Sequence, residues 1–230
     1  GEVVRAYIVG KKHSMSKSAS LATIVFERIM DGVGILILVG LSTLFLHKFP
    51  PWTKKVVVAS IILFLGILVT MAIIVTNKHF IDWLKKIPFI KYELKEKIVT
   101  KTKKFVTGFE VIKDIKSFLL VILLSLCVWL CETFNMFLII KIVGIHLSFP
   151  VIVFILFATV IGVTIPAAPG SIGTFEFFFV ASMMFFGISK EKAVASALVS
   201  HTFGIVYVMI LAVYYFFKEG ISYKEISHAD

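Results

Sequence analysis

The chain has 230 residues, 59% of them hydrophobic and 17% charged, with a mean hydropathy of +0.99. A soluble domain is nearer about 45–50% apolar and needs a charged surface, so the composition excludes an ordinary cytosolic globule and indicates a polytopic membrane protein. The formal charge of +10, from 24 basic and 14 acidic residues, does not indicate nucleic acid, because the lysines stand between apolar stretches and mark loops facing anionic lipid.

In chain order, the first apolar stretch covers residues 20–46. Its uncharged part, 32–46, is about 22 Å as a helix, shorter than a bilayer core of about 30 Å. The helix must therefore run back through Asp31, Arg28 and Glu27. The second span, 56–76, carries no charge. The third, 118–143, contains Glu132, Asn135 and Lys141, together with Cys127 and Cys131. Those cysteines share a helix face with no further ligand nearby, and are read as packing residues. A fourth stretch covers 150–165. Pro166, Pro169, Gly170 and Gly173 then interrupt it, because proline removes a helix donor and glycine permits positive φ. Apolar residues resume over 174–187, and a last span covers 193–217. The fourth and fifth stretches either both cross or form a re-entrant hairpin around the break. The expected fold is an all-α transmembrane bundle over 1–230, read as a single domain.

Loop charges orient the spans. Residues 1–19 are net +3, and 77–117 carry eleven lysines against five acids. Two spans separate these segments, so both belong on the cytoplasmic side and the C-terminus joins them there. Within 77–117, Leu94, Ile98, Phe105, Phe109 and Ile112 recur at helical spacing, while Lys95, Lys97, Lys101, Lys103 and Lys104 occupy other positions. That pattern describes an amphipathic helix suited to an anionic leaflet.

A short internal similarity has an offset of 173 residues. Met15-Ser16-Lys17 matches Ile188-Ser189-Lys190, and the apolar run from Leu21 to Phe26 matches that from Val194 to Val199. Under the topology above the two copies point in opposite directions, as inverted repeats do.

Ionisable groups within spans are costly and default to functional readings. Glu27 and Asp31 share a face at i, i+4, and Arg28 reaches Asp31 at i, i+3. Glu132 lies near the centre of its span, with Asn135 one turn on and Arg5, Arg28 or His201 as candidate partners. The helix restarting after Gly173 aims its amide end at the break, where a phosphate or carboxylate is stabilised. Glu176, in the first turn, can cap those amides instead. His201 reads as either a packing residue or a ligand. No metal site or cofactor is indicated.

Two stretches resemble a known family. Gly1-Glu2 and Arg5, then Glu27-Arg28 and Asp31, match a "GE-x-x-R … ER-x-x-D" signature of flippase-like integral membrane proteins. Pro169-Gly170-Ser171-Ile172-Gly173-Thr174-Phe175-Glu176 is similar to their "PGG-x-G-x-x-E", with Ser171 replacing a glycine. The family includes the transmembrane region of the lysylphosphatidylglycerol synthases. Its members usually carry further spans before the first motif, so the resemblance implies an N-terminally shortened chain, which also lacks an initial Met. It implies flippase activity without the lysyl-transferase domain, hence a transporter and not an enzyme, in a bacterial or archaeal plasma membrane. The substrate expected is a phospholipid or glycolipid, bound by Arg5, Glu27, Arg28, Asp31, Glu132, Asn135, Pro169, Gly170, Gly173, Glu176 and His201. A homo-oligomer is compatible with this reading. An intramembrane lipid-modifying enzyme component and a non-transporting scaffold are the alternatives.

Overall fold

The structure is a computed structural model that describes residues 5, 8–10, 15–46, 50–76, 96, 99–100, 102–103, 106, 108–109, 114–165 and 168–218. All regular structure among these residues is helical: α1 (Lys17–Thr43), α2 (Pro51–Thr76), α3 (Ile115–Ile142), α4 (Phe149–Thr164), a 3-10 turn (Pro169–Ser171), α5 (Thr174–Phe185) and α6 (Lys190–Lys218). The starts have local causes. Ser16 caps α1, its Oγ accepting the Ala19 amide at 3.2 Å. Asp114 caps α3, its carboxylate accepting the Lys116 and Ser117 amides at 3.2 Å each. Pro150 sits in the first turn of α4, where its missing donor costs nothing. That helix ends at Ile165, which is extended (ψ 123°), as expected of a residue preceding proline.

Among the described residues three helices are long and apolar enough to cross a membrane: Thr53–Thr76, Ile115–Ile142 and Lys190–Tyr215. At 24, 28 and 26 residues they reach about 36–42 Å, more than a bilayer core. What they leave exposed is apolar, for instance Leu63 and Val69 in α2, Leu120 and Leu124 in α3, and Ile210 and Val213 in α6. Cys127 and Cys131, expected to pack inside, are instead free and exposed on α3. At 27 residues α1 is also long enough, but it carries Glu27, Arg28 and Asp31 midway.

The chain divides into two compact units. The first comprises Gly1–Val33, Ala59–Ser125 and Ser222–Asp230. Its core joins Ala22, Phe26, Ile29 and Met30 of α1 to Val75 of α2 and to Phe109. Phe26 and Phe109 meet edge to face at 6.2 Å. The expected amphipathic stripe otherwise lies outside the described residues. Phe109, one member of that stripe, is buried against α1.

The second unit comprises Gly34–Val58 and Leu126–Ile221. At its centre is α4, buried at every position from Val151 to Thr159. The pairings Phe154 with Phe186 (5.5 Å) and Gly162 with Phe178 run in opposite chain directions, so α4 and α5 form an antiparallel hairpin. They have 16 and 12 residues, about 24 and 18 Å, each shorter than a bilayer core of about 30 Å.

The internal similarity has a structural counterpart. The Met15 amide donates to the Gly10 carbonyl (2.9 Å), and the Ile188 amide to the Met183 carbonyl (3.2 Å), again 173 residues apart. Helices α1 and α6 start at Lys17 and Lys190, the same offset. Each copy thus carries a carbonyl-to-amide hydrogen bond of the same span just before a long helix.

Candidate functional site

Where α4 ends, the backbone leaves helical geometry. Pro166 and Ala167 lie outside the described residues. Beyond them, the Ser171 amide donates to the Ala168 carbonyl at 2.9 Å, closing the 3-10 turn. Gly170, Ser171 and Gly173 have φ of 73°, 58° and 94°. Left-handed geometry suits glycine and costs an L-residue such as Ser171 roughly 1–2 kcal/mol. The break lies at the tip of the α4–α5 hairpin, with Pro169, Gly170 and Gly173 all exposed.

Glu176 ties this tip down. Its Oε2 accepts the Gly173 amide at 2.7 Å, the reciprocal half of a capping box. The anion at this helix terminus is therefore the protein's own carboxylate, and the capping alternative for Glu176 holds. Its Oε1 lies 2.5 Å from His201 Nδ1. The other ring nitrogen, Nε2, donates to the Gly170 carbonyl at 2.9 Å. Phe175 stacks on the imidazole, with centroids 4.2 Å apart and 19° between planes. Side chain 201 thus clasps both ends of the break from α6. Phe175 was not singled out in the sequence, where it is one aromatic among many.

A second polar group lies in the first unit. Arg5 donates from Nη2 to both carboxylate oxygens of Glu27, at 2.9 and 2.7 Å. Arg28 donates to Asp31 at 3.3 Å, as its spacing predicts. Ser125 donates to the Met30 carbonyl at 3.0 Å and lies 3.4 Å from Asp31 Oδ1. The expected Arg28–Asp31 pair is thus joined by a second opposite-charge pair, Arg5–Glu27. The Arg5–Glu27 pair and the Glu176–His201 pair both join residues on either side of the start of a long helix, with partners 22 and 25 positions apart. Folding the chain back at Ser16 and at Ser189 is the signal that would have found both.

Glu132, read as a carboxylate that pairs or faces water, is exposed on α3, and neither it nor half-buried Asn135 has a hydrogen-bond or ion-pair partner among the described residues. The candidate partners are engaged elsewhere, His201 with Glu176, Arg5 with Glu27 and Arg28 with Asp31. Helix spacing could place Glu132 on a face but could not say what faces it. Among the described residues no three His, Cys, Asp or Glu side chains gather as a metal site.

Comparison with known proteins agrees with this architecture. A family model described as the lysylphosphatidylglycerol synthase TM region matches residues 1–212. A UPF0104 membrane protein of Methanothermobacter thermautotrophicus is 25% identical over 244 residues, covering 97% of this chain and 71% of that protein. No solved structure matches the chain. The family match takes in both the Arg5–Glu27 helix pair and the clasped break, and on that extent the chain belongs to the lysylphosphatidylglycerol synthase TM-region family.

Proposed function

We propose that this protein is a flippase-type translocase for a phospholipid or lipid-linked saccharide, with the headgroup bound at the Pro169–Gly173 break. One observation carries the reading: the break is exposed backbone at the tip of a hairpin whose helices are too short to cross a bilayer. Non-helical backbone at membrane depth survives only where protein or a water-filled cavity surrounds it, and such a cavity is what a headgroup needs. Family membership and the apolar spans support a lipid substrate. Glu132 adds a carboxylate without a partner among the described residues, which suits a cationic headgroup moiety or water. A lone carboxylate at mid-membrane otherwise costs about 2.5–3.5 kcal/mol on insertion scales.

On this reading the protein resides in the plasma membrane of a bacterium or archaeon. Its C-terminus is cytoplasmic, and the lysine-rich 77–117 segment meets the anionic leaflet. The sequence carries no ATP-binding motif, so a gradient or a partner supplies the driving force. The test is headgroup-labelled lipid in proteoliposomes, comparing wild type with Glu132→Gln, Arg28→Ala and Gly173→Ala. Slower translocation is expected in each. Translocation unchanged in all three overturns the proposal.

A further inference from the structure

We propose that Glu176 and His201 hold one proton between them, and that this proton is the ion coupling movement of the break to a gradient. The argument is one of hydrogen-bond valence. The Gly170 carbonyl offers only lone pairs, so Nε2 of His201, 2.9 Å away, must carry hydrogen. With that fixed, the 2.5 Å contact between Nδ1 and Glu176 Oε1 needs one hydrogen. It is either an imidazolium donating to a carboxylate or a carboxylic acid donating to neutral imidazole. Both forms carry the same protons and a net charge of zero. Removing the shared proton leaves an Nδ1 lone pair facing a carboxylate oxygen. The contact then turns repulsive, and His201 and the Gly170 carbonyl lose their common anchor.

Within α4, the break, α5 and the neighbouring turns of α6, this charge falls to the pair. Helix α4 and the break contain no titratable side chain, and in α5 Glu176 is the sole one. In α6 none but His201 occurs between Lys192 and Tyr207. Lys190, Glu191 and Lys192 lie nine or more residues from His201, about 13 Å along the helix axis. Phe175 covers the imidazole face. The two side chains are 12% and 25% exposed, so the imidazole is largely covered while the carboxylate keeps a path for a proton. Opening the clasp in water therefore means releasing the proton, and closing it means taking one up.

The coupling half of this proposal rests on the translocase reading, whereas the proton-holding half does not. In the full chain in lipid nanodiscs, amide exchange over 168–176, corrected for its intrinsic pH dependence, should quicken on the order of tenfold as the proton leaves with rising pH. Glu176→Gln can donate to neutral Nδ1 while accepting from Gly173, so it should stay closed through the rise in pH that opens wild type. Glu176→Ala should stay open. The His201 nitrogen-15 signals, assigned by their loss in His201→Gln, give the same midpoint in wild type without reliance on a variant's folding. A clasp insensitive to pH, or a Glu176→Gln profile matching wild type, overturns the proton site. Lipid translocation indifferent to an imposed pH gradient, with a clasp that titrates, overturns the coupling. A titrating clasp in a protein that moves no lipid keeps the proton site and removes the translocase.

Discussion

The Cβ that Gly162 lacks would lie 2.5 Å from Cδ2 of Phe178 and 3.0 Å from its Cβ. The stem of that side chain rests on bare α4 backbone, so the hairpin closes only because residue 162 is glycine. Gly162→Ala must push α5 away from α4 and should cost about 1–3 kcal/mol, reduced by the roughly 1 kcal/mol helix-propensity gain of alanine. Gly32 offers a contrast in the other unit: its added Cβ would meet the ring tip of Phe64 at 2.1 Å, and a ring tip can swing aside. Thermal unfolding in detergent should therefore rank Gly162→Ala as the more damaging of the two, and the reverse order would contradict the packing account.

Ser171 holds φ 58°, in the left-handed region that favours glycine. Ser171→Gly should relieve strain and stabilise by about 0.5–1 kcal/mol, the left-handed penalty less the extra chain entropy of glycine. Gly173→Ala should act in the opposite sense. At φ 94° nothing lies within 4 Å of the added methyl group, so its cost is conformational and not steric. Urea unfolding midpoints of the two variants should straddle wild type.

Asp114, just outside the third span, carries a pH prediction. The Ser117 hydroxyl, and then the backbone amides of Ser117 and Lys116, hold its carboxyl below the ordinary value of 3.8. The folded state therefore favours the charged form. Its contribution is complete above 3.8 and is lost as pH falls through the lowered folded value. Acidification should lower the unfolding temperature of wild type more than that of Asp114→Asn, whose cap does not titrate. Parallel pH profiles would sink the assignment.

Ser125 is buried and donates to the Met30 carbonyl from a position 95 residues along the chain. Ser125→Ala removes that bond while Met30 keeps its helical partner, so about 0.5–1.5 kcal/mol should be lost. Double-mutant cycles with Asp31→Asn should show coupling, since the hydroxyl also lies 3.4 Å from Asp31 Oδ1.

Much of this was legible where one residue type dictates the backbone. Pro169, Gly170 and Gly173 announced the break, and the Glu176 cap follows from its place three residues after Gly173. The Arg28–Asp31 pair follows from helix spacing alone. What lay hidden depends on chain reversal. The Arg5–Glu27 and Glu176–His201 pairs join side chains brought together by a turn, and neither local propensity nor periodicity measures how two helices align. Glu132 shows the same limit, since its three candidate partners were chosen by charge and each is engaged with a residue across a turn or along its own helix. Phe109 had the right periodicity for a surface helix, yet burial against Phe26 decided its environment.

Helix α4 has no ionisable side chain along its whole length. A transmembrane voltage exerts about 2.3 kcal/mol per elementary charge per 100 mV, and on this helix it finds no side-chain charge to pull. In the hairpin and the helix that clasps it, side-chain charge on which a membrane potential acts is therefore carried by α5 and α6 and not by α4.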